Sequence, residues 1–201
     1  MSDPAIMTAT CHRLTAQEPS LGVKITRRIR RKLRALKLRR WARSRLRLQD
    51  AVILDTETTD LFGQVIQISV IDLTGRVLLS TLVRPTTPVS AAATAVHGIS
   101  DQDLLAAPAL PVIAEQLLEV TRGRQLLAYN APYDRQVLTS DLTTAGLDPA
   151  HLADRQNWVC LMRARALVEN RGWVALGGPH HALGDCLATL DVLHGIARRP
   201  T

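Results

Sequence analysis

The chain has 201 residues and a mass of 22.1 kDa, room for one ordinary domain with an appendage and too little for a multidomain machine. Hydrophobic residues at 46% permit a packed core and exclude wholesale disorder, while aromatic residues at 3% exclude a base-stacking platform. The net charge of +7 hides a division: residues 1–49 carry fourteen bases against two acids, or +12, and residues 50–201 carry eleven against sixteen, or −5. No apolar run approaches the roughly 18 residues of a membrane helix, and the first twenty residues lack the compact apolar segment of a secretory signal. Cys11, Cys160 and Cys186 are odd in number and show no C-x-x-C spacing, which speaks against a disulfide framework or a zinc knuckle. A reducing cytoplasm is the expected location.

Three stretches follow in chain order. Residues 1–23 are expected to be a disordered tail, residues 24–48 a basic amphipathic arm, and residues 49–201 an acidic α/β domain. Between Lys24 and Arg47 there are thirteen bases and no acid. Ile25, Ile29, Leu33 and Leu36 form a narrow stripe if this arm is helical. Such an arm could neutralise phosphates, lie on an anionic membrane or project into solvent, and nucleic acid is the favoured partner.

The domain opens on a short apolar strand, Ala51 to Leu54, followed by β-rich runs over 65–73 and 76–83 that meet at Thr74-Gly75. Two helices are expected next, one begun by the S-D-Q-D at Ser100 and one over 110–120. Gln125 to Tyr129 is a further strand, and Pro132 suits the first turn of a helix that Gly146 ends. Residues 158–169 are expected to be helical, 172–179 a turn-rich link, and 182–197 a final helix. A hairpin at one end and strand–helix alternation at the other predict a mixed sheet with helices on both faces.

Asp55 and Glu57 stand two residues apart at the end of the first strand, where alternation puts both carboxylates on one face. Alone, a D-x-E pair most often belongs to a solvated loop. Here the buried run Val52-Ile53-Leu54 brings it to the surface at a strand end, with Thr56, Thr58 and Thr59 around it. Asp134 lies at the start of a helix, where spacing alone makes it a partner of the helix dipole. Asp185 stands among apolar neighbours and wants compensation. Four carboxylates in one pocket would repel by about 4 kcal/mol for each pair 4 Å apart at an effective dielectric of 20. Divalent cations would relieve this, and an all-oxygen donor set suits Mg²⁺ or Mn²⁺ rather than zinc.

Asp55-Thr56-Glu57-Thr58-Thr59, Val96-His97-Gly98-Ile99, Asn130-Ala131-Pro132-Tyr133-Asp134 and His180-His181-Ala182-Leu183-Gly184-Asp185 resemble, in order, the signatures of DEDDh 3'-5' exonucleases. The proofreading subunits of bacterial replicative polymerases belong to that family. The resemblance spans about 52–197 and implies a ribonuclease-H-like fold with a mixed five-stranded sheet and a two-metal site. It implies that Asp55 bridges both metals, that Glu57 and Asp185 complete one site and that Asp134 holds the other ion. Spacing leaves the general base open between His180 and His181; the family pattern H-x-A-L-x-D selects His180. The same resemblance implies substrate contacts from Thr56, Thr58 and Asn130, a wedge at Leu61 or Phe62, and a place for His97 in the groove or in a structural turn with Gly98.

Asp60 stands where relatives usually have glycine, and its charge is expected to hinder phosphate entry. Cys186 follows the last acid where alanine is common, as a small buried replacement. No polymerase- or clamp-binding tail is expected after Asp185. The implied activity is release of nucleoside 5'-monophosphates from DNA 3' ends, with RNA trimming or a catalytically silent nucleic-acid module as the alternatives.

Overall fold

A computed structural model describes residues 21–198, so the expected tail lies outside the described residues as far as residue 20. The basic segment forms one 28-residue helix, α1 (Leu21–Leu48). Strand β1 (Ala51–Thr58) follows and is longer than expected, carrying Asp55 and Glu57 within it. β2 (Val65–Asp72) and β3 (Val77–Leu82) form the predicted hairpin, turning at Gly75 with φ of 89°. Three helices come next instead of two: α2 (Ala91–His97), the single turn α3 (Asp101–Leu104) and α4 (Leu110–Thr121). Ser90 caps α2 by accepting from Ala93 N–H, and Ser100 with Asp103 forms a capping box on α3.

β4 (Gln125–Ala128) leads into α5 (Ala131–Thr144), which carries Pro132 in its first turn as expected. The helix expected from Trp158 divides: Trp158–Cys160 is a short strand, β5, and the helix α6 occupies only Leu161–Glu169. Three residues are too few for periodicity to separate strand from helix, and pairing with β4 decides the matter. The last helix, α7, runs over Ala182–Arg198.

The sheet order is β3-β2-β1-β4-β5, with β1–β2 and β2–β3 antiparallel and β1–β4 and β4–β5 parallel. This is the mixed sheet that the strand pattern predicts, with the five strands that the family resemblance implies. Alternation along β1 divides the core. Val52 and Leu54 face α4 and α5 with Leu117, Val137 and Leu138, while Ile53 faces α6 and α7 with Leu161, Leu190 and Leu193. Burying each such side chain contributes roughly 1.5–3 kcal/mol.

The arm is docked rather than free, and by a face other than the expected stripe. Ile29 and Leu33 are each 53% exposed. Ala35 and Ala42 are buried instead, and Leu38, Trp41 and Leu46 pack with them against the α6–α7 cluster. Positions 35, 38, 42 and 46 make a helical face of their own, led by small residues that let the helices approach closely. Trp41 Nε1 donates to Gln125 Oε1 at 3.2 Å and Arg43 Nε to the Ala197 carbonyl at 2.8 Å. No described helix is long and apolar enough to cross a membrane.

Candidate functional site

The face-to-face alternation that divides the core also sorts the acidic residues. Continuing the parity of Ile53, Asp55 and Glu57 point to the α7 side, where Asp185 stands in the first turn of α7. Ligand oxygens of Asp55, Glu57 and Asp185 all lie within 4.8 Å of one another. Thr56 and Thr58 take the other parity and face α5. The Thr56 hydroxyl donates to Asp134 Oδ1 at 3.0 Å, and Thr58 Oγ1 lies 2.7 Å from Tyr133 Oη. Asp134 therefore sits across the strand from the cluster of three, buried and close enough for its charge to act on Asp55 and Glu57.

At 4.8 Å and an effective dielectric of 20, two carboxylates repel by about 3–4 kcal/mol, comparable with the cost of desolvating either one. Both effects push in one direction. Burial first, then Asp134, Glu57 and Asp185, raises the Asp55 carboxyl well above the usual range. Burial followed by Asp185 and Asp134 raises Glu57 to about 7. Burial raises Asp134 to about 7 against the Thr56 hydrogen bond, and burial raises Asp185 against the opposing charges of His180 and His181. Asp185 Oδ1 is buried without a hydrogen-bond partner. An all-oxygen cluster with an orphaned acceptor is a fit for hard divalent cations, which would supply the missing charge.

The link between α6 and α7 closes over this acid. A Cβ on Gly178 would lie 1.9 Å from Asp185 Oδ1, so any side chain there must displace the carboxylate or the link. His180 follows at φ of 55°, exposed, in the left-handed region that histidine tolerates better than most residues. His181 Nδ1 accepts the Gly184 N–H at 3.0 Å, a cap on the first turn of α7.

The predicted substrate contacts are scattered about the rim. Leu61 and Phe62 are 69% and 70% exposed, and the Phe62 ring tilts against Tyr133 with centroids 6.3 Å apart. Asn130 is exposed at the head of α5. His97 Nδ1 accepts from Ile99 N–H at 3.0 Å, which leaves Nε2 to donate to the Thr58 carbonyl at 3.3 Å. Burial, opposed by this bond, lowers its pKa. His97 thus ties the α2 turn to the end of β1.

Asp60 is accommodated without left-handed backbone, and its Oδ1 accepts the Leu61 N–H. The tight place in this loop is Gly63, where a Cβ would meet Thr59 Oγ1 at 2.2 Å. Cys186 is buried as expected, its thiol pushed well up by burial and by the neighbouring acids. Two residues escaped the sequence reading. Tyr133 was visible only as the residue before Asp134, and Gly178 only as one of two consecutive glycines in a turn-rich link.

The exonuclease family (RNase_T) matches residues 52–193. An uncharacterized exonuclease, CP81, of Escherichia phage 186 is 30% identical over 172 residues, covering 74% of this chain and 89% of the relative. The DNA polymerase III subunit epsilon of Pasteurella multocida is 34% identical over 95 residues, 41% of this chain and 38% of that subunit. Among solved structures, Exonuclease X in complex with 5' overhanging duplex DNA has a TM-score of 0.54 at 28% identity, covering 73% of this chain and 90% of that one. A 3'-exonuclease that recognises the histone mRNA stem-loop has a TM-score of 0.61 at 16% identity over 73% and 63%, which shows a shared fold.

Proposed function

The chain belongs to the exonuclease family and is a 3'-5' exonuclease, a hydrolase, and we propose that it releases nucleoside 5'-monophosphates from DNA 3' ends. The observation that carries the reading is the convergence of Asp55, Glu57 and Asp185 within 4.8 Å, with Asp134 across the strand. Asp55, Glu57 and Asp185 would hold one divalent ion, and Asp55 with Asp134 a second, both Mg²⁺ or Mn²⁺. Bound there, the ions supply charge neutralisation and Lewis acidity at the scissile phosphate.

His180 is the general base in this reading and takes the proton of the attacking water. Its support is local: His181 Nδ1 is engaged by Gly184 N–H, while the His180 ring is exposed and its backbone N–H donates to the Asp185 carboxylate. Leu61 and Phe62 present an exposed apolar edge to the terminal base, Asn130 and Thr58 lie beside it, and Thr56 acts by orienting Asp134. DNA is preferred over RNA because the relatives above 25% identity include a DNA polymerase III subunit and an exonuclease seen with duplex DNA. The catalytic domain is assigned to 49–201 and phosphate contact to residues 24–47 of the arm.

A 5'-labelled oligonucleotide incubated with Mg²⁺ or Mn²⁺ should shorten one nucleotide at a time from its 3' end, and EDTA should stop it. His180→Ala should reduce turnover by about 10²–10⁴-fold, the usual worth of a general base. Full turnover in that variant with loss in His181→Ala reverses the assignment of the base. Faster shortening of a matched ribo-oligonucleotide overturns the DNA preference, and binding without product in either metal overturns the hydrolytic reading.

A further inference from the structure

The β5 edge of the molecule carries a trough of arginines that the acidic site does not use. A cleft of about 640 Å³ is lined by Pro132 and Arg135 of α5, Arg155 ahead of β5, Arg163 of α6 and Leu38 of α1. A second cleft of about 630 Å³ shares Arg163 and Leu167 with the first and runs on to Arg30, Arg31 and Arg34 of α1. The trough begins at the first turn of α5, where Pro132 and Arg135 neighbour Asp134 in the chain. β4 and β5 run parallel to β1, so their C-terminal ends open on the same edge of the sheet as Asp55 and Glu57.

Seven guanidinium groups line the two clefts; Arg171 is paired with Glu169, and the other six have no ion-pair partner among the described residues. The nearby acids are engaged elsewhere. Glu169, at the far end, is held by Arg165 and Arg171, and Asp154 caps Gln156 N–H. The clustering is not a mere consequence of the basic composition of α1, because Arg135, Arg155 and Arg163 belong to a domain whose net charge is −5. Docking of α1 through Ala35, Leu38 and Ala42 is what brings the two sets of arginines to one surface.

We propose that this trough is a second nucleic-acid site, which takes the sugar-phosphate backbone of the substrate behind its 3' end. It rests on the exonuclease reading of the acidic cluster, which fixes where that end lies. The span from Arg30 to Leu38 is about 12 Å of helix, and strand phosphates follow one another at about 3.4 Å along a duplex axis, so α1 alone covers about three to four phosphates. Guanidinium groups present paired donors to phosphate oxygens and read no base, so the site binds any sequence. Its effect is to place a counter-charge beside an acidic domain that would otherwise repel its own substrate.

The test is binding in EDTA, so that catalysis does not enter. Kd for a fluorescein-labelled single strand of about 20 nucleotides is measured between about 50 and 200 mM salt for the wild type, Arg163→Gln and Arg30→Gln/Arg34→Gln. The expected result is weaker binding, with the slope of log K against log[salt] flattened by about 0.7 for each arginine removed and kept by Arg163→Lys. A loss seen only when the same strand is in a duplex assigns the trough to the complementary strand and overturns its place behind the 3' end. Unchanged slopes on both substrates overturn it, as does a loss of binding to phosphatidylserine vesicles with oligonucleotide affinity intact. Asp55→Asn tests the other reading separately: it should stop product release and leave the slopes of the trough in place.

Discussion

Gly178 shows how a residue without a functional group can govern a catalytic acid. Its missing Cβ leaves room for Asp185 Oδ1, which a methyl group would approach to 1.9 Å. Gly178→Ala must push the carboxylate out of the cluster or lift the link that carries His180, and either change misplaces a ligand by a good fraction of an ångström. Such misplacement costs on the order of 10²-fold in rate. The expected outcome is therefore a fall in kcat/KM of at least about tenfold with little change in Tm, since the link is mostly exposed. Gly172→Ala, in the same link with nothing within 4 Å of its would-be Cβ, should be silent in both measurements. Equal activity in the two variants would sink the account of Asp185 given above. Thr56 acts at the same scale from the opposite face, where its hydroxyl holds Asp134.

At the scale of elements, α1 is two things in sequence: an exposed basic half and a docked half that closes the α6–α7 core. Removing residues 1–34 takes away helix whose described side chains, Thr26 and 28–34, are exposed, and should leave Tm nearly unchanged. Removing 1–49 uncovers the apolar surface under Ala35, Leu38, Trp41 and Ala42 and breaks the Trp41–Gln125 and Arg43–Ala197 hydrogen bonds. Thermal melts should show a loss of several kcal/mol for the longer deletion, and about 2–3 kcal/mol for Trp41→Ala, whose ring is half-buried. An arm that is merely a tether would give identical melts for both deletions. These elements also mark what the sequence made legible. β1, the β2–β3 hairpin, α5 and α7 were readable because alternation, a Thr-Gly turn, Pro132 and an apolar helical period are local signals. β5 was not, because three residues acquire strand character only by pairing with Leu126, Leu127 and Ala128. The docked face of α1 was hidden for a related reason: two alanines outrank Ile29 and Leu33 once α6 and α7 set the distance. Among the site residues, parity made Asp55 and Glu57 legible as a pair, while the hydrogen bond of Asp134 to Thr56 depended on the order of strands.

At the scale of the whole molecule, the acidic site makes folding, pH and metal one linked system. In the unfolded chain the four carboxyls titrate near 4, whereas in the fold Glu57 and Asp134 hold protons up to about 7. The metal-free fold thus binds more protons than the unfolded chain between about pH 4 and 7, and its stability falls as pH rises through that window. This is the reverse of a salt-bridged acid, whose stabilisation is lost on acidification. Glu57 is half-buried, so solvent reduces its share to about 1–2 kcal/mol. Divalent cations reverse the trend because they bind the deprotonated cluster of the fold and have no such site in the unfolded chain. At one hundred times Kd the stabilisation is about 2.7 kcal/mol, roughly 5–10 °C in Tm for a domain of this size. Melting curves in EDTA should therefore show Tm declining from about pH 5 to pH 8, and excess Mg²⁺ or Mn²⁺ should restore it at pH 8 while doing little at pH 5. Asp55→Asn removes a buried carboxylate that three other acids also repel, so it should raise the metal-free Tm at pH 8, abolish most of the metal response and stop product release in one substitution. A metal-free Tm that climbs from pH 5 to pH 8, in wild type and variant alike, would mean that these acids are solvated apart from one another and that no cation is needed to hold them together.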